Sequence, residues 1–332
     1  MTGLSCFTAN LLEYLAAEMP DAHDHLARSI RLAVRTDLPD GELHFSHHDT
    51  ALDRLPDGTC LRYTGAVDAE RALHAVAAEL RRYGRVLVVT DSAKLPWSPG
   101  YATAGAPAAP PGAPSGAPAG DTHAPHFVLV DDWRPGGWRV RDSFRGLLPA
   151  GEQQPFSGWL AGDELAAAMT PPPGWGAVHR RRCQLAFGVP VPAPPDGGPL
   201  WLARVEAPGP APELSGEWLV DDRAALPFLA GYFAAHGPAA SRYLDDMWAA
   251  AQHRVFHHHR MAGRAYASDA ERRRRLLASE AWSALPGALR FAVASAARGR
   301  PRTSLLHTTF AHVSAAEEEV RAVQAASRGT AE

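Results

Sequence analysis

His126-Phe127-Val128-Leu129-Val130 and Trp138-Arg139-Val140-Arg141-Asp142, joined through Arg134-Pro135-Gly136-Gly137, decide how this chain is read. β-Branched and aromatic residues dominate both runs and the Pro-Gly-Gly cluster supplies a turn, so the pattern predicts two paired strands. Side chains alternate faces along a strand, and the separation of His126 from Asp142 is even. With an odd hairpin loop, or an even loop compensated by a bulge, imidazole and carboxylate share a face as diagonal neighbours. Asp142 would then hold the His126 ring.

Far upstream, Leu4-Ser5-Cys6-Phe7-Thr8-Ala9-Asn10-Leu11-Leu12-Glu13-Tyr14 begins an amphipathic run. Ser5 is placed to cap a helix and Leu4 to staple it. Cys6 then falls in the first turn, where unpaired N–H groups and the helix dipole favour an anion. A thiolate forms more easily there, and an imidazole partner assists it. Singly, such a cysteine is a small buried hydrophobe and such a histidine a satisfied polar residue. Thiol, imidazole and carboxylate in this order, on a helix and two successive strands, point to acyl transfer through a thioester on Cys6.

Tyr83-Gly84-Arg85-Val86-Leu87-Val88-Val89-Thr90-Asp91, then Leu95-Pro96-Trp97 and Tyr101, then the His126 strand, carry a wider pattern. Residues 1–170 resemble the family of the butirosin biosynthesis protein H N-terminal domain, and the helical remainder resembles the C-terminal domain often fused to it. The resemblance implies an α+β chain: a papain-like cysteine fold, with an N-terminal helix packed on an antiparallel sheet, followed by a mainly α-helical domain. It implies an acyltransferase of specialised, antibiotic-type biosynthesis. An acyl group would pass from an acyl or peptidyl carrier protein, through acyl-Cys6, to a small-molecule amine. Cys6, His126 and Asp142 would be catalytic, with Asp91, Pro96, Trp97 and Tyr101 on the substrate side. The Cys6 N–H would be one oxyanion donor. Papain-like enzymes carry a glutamine ahead of the cysteine and only five residues precede Cys6, so Asn10 stands as a substitute candidate. No cofactor is expected beyond the 4′-phosphopantetheine arm of the carrier substrate. A thioesterase or cysteine peptidase could use the same triad, whereas a non-catalytic scaffold keeping the fold would be expected to lack one of its members.

At 332 residues with 46% hydrophobic content, the chain suits two domains with real cores. A formal charge of −3 argues against a general nucleic-acid binder. No apolar run is long enough for a membrane span and no signal-peptide pattern opens the chain, so a cytoplasmic enzyme is expected. Cys6, Cys60 and Cys183 show no zinc spacing and are odd in number, which fits a reducing compartment.

Thr59 to Tyr63 reads as a short strand. Asp68 caps a helix with Leu73, Val76, Ala77 and Leu80 on one face and Gly84 at its end, feeding a strand from Arg85 to Asp91. Residues 102–120 are almost wholly Ala, Pro, Gly and Ser and are expected to form a mobile surface insert. Leu160 to Met169 reads as a short helix, Cys183 to Val189 and Leu200 to Val205 as strands, and the chain as helical from Ala224. The expected division is a catalytic domain over 1–170 and a helical accessory domain over 171–330. His253 and His257 stand one helical turn apart, but Arg254 occupies the place where a hydrolytic zinc helix needs glutamate, and the following His258 and His259 point to other faces. No metal is expected. His47-His48-Asp49 reads as a solvated loop and Cys183 as strand packing. Arg180-Arg181-Arg182 and Arg272-Arg273-Arg274-Arg275 read as solvated faces, or as a docking surface for an acidic carrier protein.

Overall fold

The computed structural model describes residues 3–101, 123–148, 151–172, 185–191, 198–210 and 212–329. In chain order the elements begin with α1 (Cys6–Ala16), α2 (Ala22–Ser29), β1 (Ile30–Arg35), β2 (His44–His48), β3 (Thr59–Gly65), α3 (Ala69–Tyr83), β4 (Val86–Asp91), β5 (Pro125–Arg134) and β6 (Gly137–Asp142). There follow β7 (Gly146–Leu148), β8 (Gly151–Gln153), β9 (Phe156–Leu160), α4 (Gly162–Met169), β10 (Leu200–Glu206), β11 (Trp218–Leu219), α5 (Asp222–His236), α6 (Leu244–Ala262), α7 (Asp269–Ala297) and α8 (Thr303–Gly329). The chain is mixed α+β, with antiparallel sheets and a helical C-terminal region.

Two compact units form, and their division is not the sequential one expected at residue 170. One is built from Gly3–Ala22 and Ala51–Pro212, the other from His23–Thr50 and Glu213–Glu332. The first holds a six-stranded sheet of order β3-β10-β4-β5-β6-β9. β10 enters between β3 and β4, antiparallel to both, because Trp201, Leu202 and Ala203 must be buried and a central strand is covered on both faces. On β5, Phe127 meets Phe7 of α1 edge-on with centroids 4.7 Å apart, whereas Val128 and Val130 join Val76 of α3 and Leu165 of α4 in one cluster. Neighbours on a strand point oppositely, so α1 covers one face of the sheet and α3 with α4 the other.

The local signals behind these elements take the expected form. Ser5 Oγ accepts from Thr8 N at 3.2 Å at the start of α1, and Asp68 caps α3 by accepting from Arg71 N at 2.8 Å. Gly84 closes α3 at φ +73°, a left-handed conformation that a side chain disfavours.

In the second unit, β1 pairs with β2 and β11, and Leu32, Val34 and Phe45 are buried with Leu226, Phe233, Trp282 and Phe310 of the helices. β2 corrects the reading of His47-His48-Asp49 as a solvated loop: Phe45 needs an apolar surface, and pairing with β1 carries His48 to 1% exposure. The arginine run on α7 is not a bare solvated face either. Arg275 is buried on Glu271 at 2.8 Å, Arg272 lies 3.5 Å from Asp269 and Arg274 2.8 Å from Glu319. Leu185 to Val189 forms turns rather than a strand. Cys183, Arg180 to Arg182 and the 102–120 insert lie outside the described residues. Among the described residues no helix is long and apolar enough to cross a membrane.

Candidate active site

Cys6 is the first residue of α1, a free thiol, partly exposed. Its N–H is one of the helix-start donors that have no partner within the helix. On the sheet side, the hairpin closes with Arg134 opposite Gly137, which leaves a two-residue loop of Pro135 and Gly136, the latter at φ +88°. An even loop alone would set Asp142 opposite Leu129, on the other face from His126. A bulge between Val130 and Asp132 shifts the register to Leu129 opposite Arg141. Asp142 is thereby carried opposite Val128, diagonal to His126 on the same face.

His126 Nε2 lies 2.7 Å from Asp142 Oδ2, and Cys6 is close enough to the imidazole to act on its charge. Because Nε2 is taken by the carboxylate, Nδ1 is the nitrogen left for the thiol. Burial alone would push the His126 pKa down; the Asp142 carboxylate and Cys6 outweigh it and carry the ring up to about 10. Burial likewise opposes the charge on Asp142, yet the His126 imidazole, Asn10 and Trp97 hold its carboxyl below the usual range.

Five donors surround that fully buried carboxylate. Oδ2 accepts from His126, from Trp97 Nε1 at 2.8 Å and from Gln153 Nε2 at 2.8 Å. Oδ1 accepts from Asn10 Nδ2 at 3.0 Å and from Phe144 N at 3.0 Å. Rings close the surroundings: Phe144 meets His126 edge-on at 5.4 Å, and Trp97 stacks on Phe156 at 4.0 Å.

The Asn10 side-chain amide is engaged on all sides within the protein. Its Nδ2 also reaches Cys6 O at 2.9 Å and Phe127 O at 2.7 Å, its Oδ1 accepts from Ser143 N at 2.9 Å, and the side chain is fully buried. An amide so committed ties the helix that carries Cys6 to both strands that carry His126 and Asp142. Trp97 belongs to the site, as an orienter of Asp142. Asp91 is buried at the end of β4, where it caps a turn through Ala93 N at 3.1 Å and meets His123 Nδ1 at 2.7 Å. Its carboxylate is engaged within the protein. Pro96 and Tyr101 are exposed, and no described contact joins either to the triad.

Gln153 escaped the sequence reading. It sits on the β7–β8 hairpin, fully buried, with Nε2 on Asp142 and 3.5 Å from His126 Nε2, while Oε1 has no hydrogen-bond partner among the described residues. No periodicity announces a three-residue strand. Cys60 is fully buried on β3, which leaves it a packing role.

His253 and His257 lie in the other unit. His253 packs against the rings of His47 and His48 at 5.2 Å, whereas His257 Nδ1 meets Ala27 O at 2.7 Å. Among the described residues no group of three or more His, Cys, Asp or Glu is placed to hold a metal ion. Comparison of the chain with family models, with curated proteins and with solved structures finds no match.

Proposed function

We propose that the chain is a cysteine-dependent acyltransferase of papain-like fold, moving an acyl group from a carrier-protein thioester to an amine. The observation that carries the proposal is the buried His126–Asp142 pair at 2.7 Å, with Cys6 beside the imidazole raising its pKa and the carboxylate saturated by donors and out of water. Five donors keep Asp142 ionised, and an ionised Asp142 keeps one imidazole orientation and favours the imidazolium that proton transfer creates.

In the proposed reaction Cys6 Sγ attacks the thioester carbonyl carbon and the carbonyl π pair moves to oxygen, where the Cys6 N–H at the helix start donates. Collapse of that intermediate breaks the bond to the pantetheine sulfur, which leaves as a thiol with a proton from His126. The amine then attacks the acyl-Cys6 carbonyl, gives its proton to His126, and Cys6 leaves as thiolate. The chain supplies every group in these steps, and 4′-phosphopantetheine enters only with the donor.

The test is intact mass after incubation with an acyl-pantetheine thioester, followed by addition of amines. The expected outcome is an acyl adduct on the wild-type protein, absent from Cys6→Ala, and discharged as amide in an amine-saturable way. Free acid as the sole product across a broad amine panel would replace transfer by thioester hydrolysis, and adduct formation by Cys6→Ala would remove Cys6 as nucleophile.

A further inference from the structure

The helical unit contains a cavity of about 340 Å³ that the proposed acyl transfer does not use. Arg28 of α2, Arg254 of α6, Arg264 of the following turn, Arg275 of α7 and Arg321 of α8 line it, against only Glu271 and Glu317. Five guanidinium groups in one small wall repel one another unless carboxylates or a ligand answer them.

The carboxylates present are already committed. Glu317 Oε1 accepts from Trp282 Nε1 at 2.7 Å and meets His258 Nε2 at 3.0 Å. Glu271 Oε1 takes Arg275 Nε at 2.8 Å, Asp222 Oδ2 is shared by Arg254 at 3.0 Å and Arg321 at 3.0 Å, and Glu318 Oε1 takes Arg321 Nη2 at 2.8 Å. Arg254 Nε is left 3.5 Å from Glu317 without a hydrogen bond, and Arg264 Nε and Nη2 are buried without one, the nearest carboxylate being Asp24 at 3.5 Å. His257 adds no charge: burial and the neighbouring cations push its pKa down to about 3. Among the described residues, Arg254 Nε and Arg264 Nε and Nη2, on side chains that line the cavity, are therefore buried without a hydrogen-bond acceptor.

We infer that this cavity binds a small organic phosphate. Guanidinium forks match phosphate oxygens, and a tetrahedral dianion accepts from several forks at once, where a single carboxylate serves one. The volume falls within the range of small-molecule sites, roughly 300–1,000 Å³, and Met261 and Val320 add apolar wall for an organic body.

The test is calorimetry on the full chain with inorganic phosphate and pyrophosphate at constant ionic strength, with citrate as the polycarboxylate arm. The expected result is saturable binding of both phosphate probes, tighter than citrate, with a melting temperature that rises to a plateau. Arg264→Gln, and independently Arg28→Gln, should weaken pyrophosphate about tenfold or more, the scale of a lost charge-assisted hydrogen bond, while circular dichroism stays that of the parent. No binding beyond a sodium chloride control, unchanged affinity in both variants, or citrate binding as tightly as pyrophosphate would overturn the inference. Cys6 acylation is read separately, so its failure leaves this site untouched and the reverse holds too.

Discussion

Asp142 and Asn10 divide between them the work of holding the thiol and imidazole in register. Asp142 orients the ring, while Asn10 holds the helix that carries Cys6 to the two strands that carry His126 and Asp142. Asn10→Ala should cost about 3 kcal/mol in urea unfolding, because Phe127 O and Ser143 N lose a buried partner, and it should also slow Cys6 acylation. Cys60→Ala should leave acylation near wild type, since that thiol only packs. His126 titrates near 10 in the fold and near 6.5 when unfolded, so its charged partners stabilise the fold fully below about pH 6.5 and lose that contribution as pH rises through about 10. The stability gap between wild type and His126→Gln, measured by denaturation from pH 6 to 10, should therefore shrink as pH rises; a gap that grows would contradict the pairing.

Among the elements, the β5–β6 bulge decides whether a site exists at all. Without it the two-residue loop would put His126 and Asp142 on opposite faces. Deleting Asp131 should abolish acylation of Cys6. Asp131→Ala, which keeps the residue count and loses the Arg139 pair at 2.7 Å and the Arg141 pair at 3.6 Å, should retain most of it. Equal acylation by both variants would show that the strand tolerates the slip. At the other end of the line, Ser5→Ala removes the cap of α1 and should cost about 1 kcal/mol of stability.

For the whole molecule, β10 is the test of where the first unit ends. A chain cut after residue 170 loses the strand between β3 and β4, exposing the edges of both and unburying their apolar side chains. Such a truncation should lack a cooperative thermal transition and should bind a hydrophobic dye, whereas the full chain melts cooperatively. A cooperatively folded truncation would mean that β10 is dispensable.

What could be read from residues alone follows from interactions that span a few positions. The caps at Ser5 and Asp68, the glycine closing α3, the apolar face of that helix and the hairpin around Pro135-Gly136 are local, and local sterics and hydrogen bonding write them into the sequence. The thiol, imidazole and carboxylate were legible for the same reason: each sits at the start or end of a locally encoded element. Gln153 beneath Asp142, the commitment of Asn10 to two strands, the entry of Leu200–Glu206 into the middle of a sheet and the pairing of β1 and β2 with the helical unit were not legible. These partners lie tens to hundreds of residues apart, and which buried surface meets which is decided by apolar area and polar satisfaction summed over a whole unit. The arginines around the 340 Å³ cavity are, in the sequence, a charge run and a few scattered cations, and only the packing of α2, α6, α7 and α8 brings them around one space.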